Sequence, residues 1–345
     1  MSRRSLTLLI ASIGTAAAIA VSVLIPVPYV ILGPGPTLNT IGRDSSGQNL
    51  ITIAGHRTYP TSGNLNMVTV SYAGGPGQKI NIFGALAAWL NPDEAVVPES
   101  ELFPPGQSEQ QAQQQDTEEM NSSQEIATAA AFTYLRIPFK TFITVEATAP
   151  GYPANAVLRV GDIITAINGT PVTSDTGLQQ MIRAHPAGTA LDVTVLRNGK
   201  TERFSIRTKE SGGVPIIGVE IEDQYKFPFT VKFDLGSDIG GPSAGTMFAL
   251  GIIDKLTADN LTGGKFIAGT GEITPSGQVE AIGGIQQKMV GARNAGATIF
   301  LAPASNCSDT AGAVPAGLRV VKISTLSQAV TYLEDIKDGR SVPSC

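Results

Sequence analysis

Two side chains that most often carry enzyme chemistry are scarce in this chain: its 345 residues include only two histidines and two cysteines. The histidines, His56 and His185, both lie upstream of the Gly-Pro-Ser-Ala-Gly run at 241–245. A hydrolase elbow of the G-x-S-x-G kind needs its histidine after the serine, so that chemistry is excluded. A His–Asp–Ser order, as in a trypsin-like enzyme, stays open on paper, but both histidines read as ordinary surface or structural residues. Neither Cys307 nor Cys345 has a histidine or a second cysteine at ligand spacing, so no zinc and no other metal is implied. Only 15% of residues are charged and the net charge is −5, which leaves no basic footprint for nucleic acid. No G-x-x-x-x-G-K-[ST] occurs, so neither an ATP-binding loop nor any other cofactor site is implied.

A long uncharged run is present instead. Arg3 and Arg4 precede a stretch without charge from Ser5 to Gly42, its apolar core running from Leu8 to Leu24 before Pro26 and Pro28 stop a helix. Some 20 apolar residues cover a bilayer core of about 30 Å. The run predicts a transmembrane signal anchor over 1–28, single-pass, with the amino terminus cytoplasmic and the rest at the cell membrane's outer side. A cleaved signal peptide is the rival, given Ala16-Ala17-Ala18. Outside the cytoplasm thiols tend to oxidise, and a Cys307–Cys345 disulfide is expected, with two unrelated thiols as the alternative.

Beyond the anchor, 29–49 reads as a Pro/Gly-rich extended linker. Alternating runs at 50–53 and 66–70 read as strands and Leu86–Leu90 as a short helix. Residues 98–119 are polar, with few apolar side chains, and predict an exposed mobile loop. A helix is expected from Ser122 to Leu135, with Ile126, Ala129, Ala130 and Tyr134 on one face.

A different rhythm starts near Phe142. Pro153-Ala154-Asn155-Ala156, then Arg159-Val160-Gly161-Asp162-Ile163-Ile164 and Ile167-Asn168-Gly169, precede a helix and two strands around an Asn198-Gly199 turn. Residues 140–208 resemble a PDZ domain. The resemblance implies capture of extended peptide ends by strand addition, with Arg136 to Thr144 as the candidate carboxylate-binding segment.

The chemistry centres on Gly240-Gly241-Pro242-Ser243-Ala244-Gly245, which leads from an apolar strand into a helix. Free N–H groups and the positive dipole end at a helix start favour an oxyanion beside Ser243, and the small neighbours Gly241, Ala244 and Gly245 admit a substrate backbone. A serine hydroxyl needs a base. Lys288 follows an Ile282-Gly283-Gly284 turn at the start of a helix, where dipole and burial both favour the neutral amine; a solvated surface lysine is the alternative.

Gly-Pro-Ser-Ala-Gly, Thr270-Gly271-Glu272-Ile273, Gly277-Gln278-Val279 and Ile282-Gly283-Gly284 with Lys288 together resemble the proteolytic domain of Lon peptidases. The resemblance implies Ser243 as nucleophile and Lys288 as base, with Thr270 bonding and orienting the lysine, and Gly241, Pro242 and Ala244 shaping the turn. It departs from the family at Gly240, where Lon usually has Asp; Asp238 lies two residues earlier. The absence of nucleotide machinery, the anchor and the PDZ-like module resemble the ATP-independent, membrane-bound branch, and Lon domains commonly form homo-oligomeric rings.

The expected fold is α+β: a Lon-like peptidase, 50–138 with 213–340, holding an inserted PDZ domain; a simple series of an unrelated amino-terminal domain, PDZ and a complete peptidase is the competing layout. The expected activity is hydrolysis of unfolded or extended polypeptides without ATP. A non-catalytic PDZ scaffold on a degenerate peptidase fold is the alternative.

Overall fold

The computed structural model describes residues 3–43, 47–236 and 239–345. The chain divides into two compact units, one built from Met1–Ile137 together with Phe229–Cys345 and the other from Pro138–Pro228.

The first unit is organised on a six-stranded mixed sheet. Its spatial order is Arg319–Ile323, Ile299–Pro303, Phe266–Gly269, Asn64–Ala73, Tyr29–Asn39 and Ala95–Pro98. The first four run parallel to one another, and the last two join by antiparallel pairing. Side chains alternate between faces along a strand. Val68, Ala268 and Phe300 pack with Ile285, Met289 and Ala292 of the helix Ile285–Asn294. On the opposite face Gly269, paired with Met67, turns toward Met247 of the helix Gly245–Leu256. That helix is buried along its whole length.

Residues 29–39 are not a linker. They form an eleven-residue strand second from the sheet edge, despite Gly33-Pro34-Gly35-Pro36. A register shift between Pro34 and Thr37 accommodates the prolines, as a bulge must where the ring removes a ladder donor. Gly35 lies so close to Thr69 that any side chain there would collide.

The polar stretch 98–119 is not a mobile loop either. A short helix covers Glu99–Leu102, and a 27-residue helix runs Glu109–Leu135, starting well before Ser122. Ser108 and Gln111 form a reciprocal capping box at its start. Gln114–Glu118 and Gln115–Glu119 bond one turn apart on the exposed side. Ala112, Met120, Ala127, Ala130 and Ala131 face inward. Gln and Glu are good helix formers, so few apolar residues suffice once the cap and one packed face are present.

A helix spans Arg3–Leu24. Among the described residues, no helix is long and apolar enough to cross a membrane, so the expected span gains no support there. The short apolar helix is Ile82–Trp89, capped by Asn81, which accepts from Gly84 N–H at 2.8 Å.

The second unit carries a sheet in the order Lys200–Arg207, Ala190–Arg197, Ile163–Ile167, Lys140–Thr148, Val219–Lys226, with a helix at Asp175–Arg183. Ile143, Val145, Ile164, Ile167, Leu178, Leu191 and Val193 form its core. The buried Asp162 carboxylate accepts from Arg197 at 2.7 and 2.6 Å; burial raises it, but the hydrogen bonds from Arg197 and Arg159 N–H together with the two arginine charges hold it below the usual carboxylate range. The unit extends to Pro228 instead of ending at 208, because Val219–Lys226 pairs along Lys140–Thr148. Much of the segment 136–144, expected to bind a carboxylate, is therefore ladder-paired strand, preceded by Arg136 as a left-handed helix cap.

Candidate active site

The helix Gly245–Leu256 and the helix Ile285–Asn294 lie on opposite faces of the sheet, yet their starts converge beyond the end of the strand Phe266–Gly269. Ser243 stands two residues before the first helix and Lys288 in the opening turns of the second. Lys288 Nζ donates to Ser243 Oγ at 2.8 Å. Only 4% of Lys288 is exposed. Desolvation lowers its pKa from 10.5 to about 8, with Glu272 acting in the opposite sense. Glu272 itself is raised, first by burial and then by Glu280 and Glu119, while Lys288 lowers it.

Thr270 is fully buried, but its recorded bond differs from the expected one. Its hydroxyl donates to the Ser243 carbonyl at 3.0 Å instead of to the lysine, and Gly271 N–H donates to the same oxygen at 2.8 Å. Thr270 therefore fixes the serine's backbone. The 27-residue helix anchors the turn from the other side. Ser123 donates to the Pro242 carbonyl at 3.0 Å, and the Asp116 carbonyl accepts from Gly241 N–H at 3.1 Å. A side chain at Gly240 would come within 2.5 Å of Asp116 Cβ, so this helix explains glycine at that position. Asp238 lies outside the described residues. Ala244 is buried as the residue preceding the helix.

The lysine's turn has its own clamp. Asn306, buried, accepts from Ile282 N–H at 2.9 Å and donates to Ile282 O at 3.0 Å and to Asp309 at 3.0 Å. Gln286 donates to the Asp309 carbonyl at 2.8 Å. Gly284, with φ of 67°, then opens the lysine helix where a side chain would strike Val70. Cys307, next to the clamp, is joined to Cys345 with an S–S length of 2.03 Å.

Ser243 and Lys288 line a cleft of about 660 Å³ with Tyr72, Phe103, Asp116, Met120, Gly241 and Gly283 among its walls. Burial first, then Glu119, raises the Asp116 carboxyl, and burial together with Asp116 and Glu109 raises the Tyr72 hydroxyl. Neither histidine lines it: His56 packs against Phe229 in a tilted pair with ring centres 4.6 Å apart, and His185 sits against Asn168 in the second unit. Among the described residues, no group of three or more His, Cys, Asp or Glu could hold a metal ion.

Asn306 and Asp116 escaped the sequence reading. A lone asparagine downstream carries no pattern, and Asp116 lay in a run that resembled a loop. The one available signal was Ser108-x-x-Gln111, a capping-box spacing.

Residues 237–335 match the family model for the Lon protease (S16) C-terminal proteolytic domain, and residues 118–208 match the PDZ domain model. The PDZ match starts inside the long helix, before the second unit begins. Among relatives, the chain is 33% identical over 121 residues to the Lon protease of Neorickettsia sennetsu, covering 31% of this chain and 14% of that one. It is 29% identical over 180 residues to Lon protease 1 of Bacillus subtilis, covering 49% and 22%. The chain thus matches well under half the length of either relative. A solved PDZ domain of an SdrC-like protein from Listeria monocytogenes is 26% identical, covering 23% of this chain and 85% of that one, with a TM-score of 0.22. The homology of the Lon-type segment supports a serine peptidase.

Proposed function

We propose that this chain is an ATP-independent serine endopeptidase that hydrolyses unfolded or extended polypeptides with a Ser243–Lys288 dyad. The observation that carries the reading is the 2.8 Å contact between a buried, deprotonation-prone amine and a serine hydroxyl inside an open cleft. Neutral Lys288 accepts the hydroxyl proton as Ser243 Oγ attacks the substrate carbonyl carbon. The oxyanion lies against the N–H groups of Ser243 and Ala244 at the helix start; Gly241 N–H is already engaged by Asp116. Lysine then returns its proton to the amine as the C–N bond breaks, leaving an ester on Ser243. Water attacks this ester, giving its proton to Lys288, and the released serine recovers it.

Independence from ATP rests on the lack of a phosphate-binding loop in these 345 residues. The second unit supplies peptide capture, as PDZ domains do by strand addition. The membrane placement, with the peptidase extracytoplasmic, rests on Arg3, Arg4 and the uncharged run that follows.

Ser243→Ala should fold normally and lose hydrolysis of an unstructured protein such as reduced casein. Full activity in that variant would overturn the dyad, and activity in neither form would favour a peptide-binding scaffold.

A further inference from the structure

We infer that the helix Ile82–Trp89 rests on the surface of a lipid bilayer, beside the first helix. The inference extends the membrane placement in the proposed function and is independent of the peptidase chemistry. In a surface helix the apolar stripe normally turns inward. Here it turns outward: Ile82, Phe83, Leu86, Trp89 and Leu90, spaced to share one face, are 42%, 44%, 49%, 72% and 75% exposed. Ala88 is the only residue of the helix that is buried. No charge occurs from Ile80 to Pro92, with Lys79 before that run and Asp93 and Glu94 after it. A contiguous apolar face of this kind marks a contact surface.

The neighbourhood favours lipid over a protein partner. The two residues leading into the helix, Ile80–Asn81, pair antiparallel with Pro26–Val27, directly after the first helix, and the two helices touch. Ile25 and Tyr29 continue the exposed patch. The first helix exposes Leu8, Ile10 and Ile13. The apolar face therefore continues onto the element that the sequence marks for the membrane, with Trp and Tyr, residues that favour the headgroup level. At eight residues the helix is too short to span, which suits a segment lying in the interface.

Trp89 is the only tryptophan in the chain, so its fluorescence reports this face alone. The full-length chain, reconstituted in phosphatidylcholine vesicles, should co-float with them. Trp89 emission should shift to the blue, and aqueous acrylamide should quench it severalfold less than in the vesicle-free chain. Lipids spin-labelled near the headgroup should quench it more than lipids labelled at the chain end. Phe83→Ser with Leu86→Ser and Leu90→Ser should restore acrylamide quenching without changing flotation or peptide hydrolysis. Co-flotation with a fully water-accessible Trp89 would overturn the docking and leave the anchor standing, whereas absence of co-flotation would remove both. Shielding that depends on protein concentration and not on lipid would assign the face to a second copy and overturn the inference.

Discussion

Lys288 is where burial and chemistry meet at the scale of one residue. With a pKa near 8, about a tenth of it is neutral at pH 7, against roughly one part in three thousand for an ordinary lysine. The rate constant kcat/KM should therefore climb about tenfold per pH unit below 8 and level off above it. A profile flat from pH 6 to 9 in steady-state assays would remove lysine as the base. Stability follows the same titration. The folded amine loses its proton near 8 and the unfolded one near 10.5, so burial is destabilising in full below pH 8, and the penalty fades between 8 and 10.5. It amounts to about 3 kcal/mol, at 1.36 kcal/mol per pH unit. Lys288→Met should accordingly abolish hydrolysis and raise the melting temperature at pH 7, with the gain shrinking toward pH 10 in calorimetry. At this scale Ser243 and Lys288 were legible as candidates through their flanking glycine motifs. Thr270 was legible as a position but not as a bond, because sequence cannot say which of two nearby acceptors a hydroxyl meets.

Among the elements, the two misreadings share one physical origin: composition is a weaker guide than cap and pairing geometry. The strand 29–39 looked like a linker because two prolines and two glycines hide a bulged ladder, and the helix from Glu109 looked like a loop because its apolar residues are sparse. The Asn306 clamp belongs to this scale, since it holds the turn that delivers the lysine helix. Asn306→Ala leaves the Ile282 N–H and C=O without their partner in a buried place, at about 1–3 kcal/mol per lost partner. Its kcat should fall at least tenfold with KM nearly unchanged, and its pH midpoint should move away from that of the wild type. A variant that is less stable yet keeps kcat and midpoint would reduce Asn306 to a packing role.

For the whole molecule, the Cys307–Cys345 bond closes a 38-residue separation and ties the tail beside that clamp. Chain-entropy arguments give such a loop on the order of 4 kcal/mol. Cys345→Ser should lower the denaturation midpoint in guanidinium by a corresponding amount, and a midpoint within error of wild type would show that the bridge does not constrain the unfolded chain. The pair was legible from the count of two cysteines and the compartment expected of the chain. The far boundary of the second unit was not, since Val219–Lys226 joins its sheet through backbone ladder bonds that any alternating segment could make.

The turn bearing Ser243 is braced by Asp116 and Ser123, made more than a hundred residues earlier. During synthesis that bracing helix emerges first and waits through translation of the entire intervening unit before the serine arrives. Both members of the proposed dyad, Ser243 and Lys288, are thus absent from a nascent chain until its final third is made.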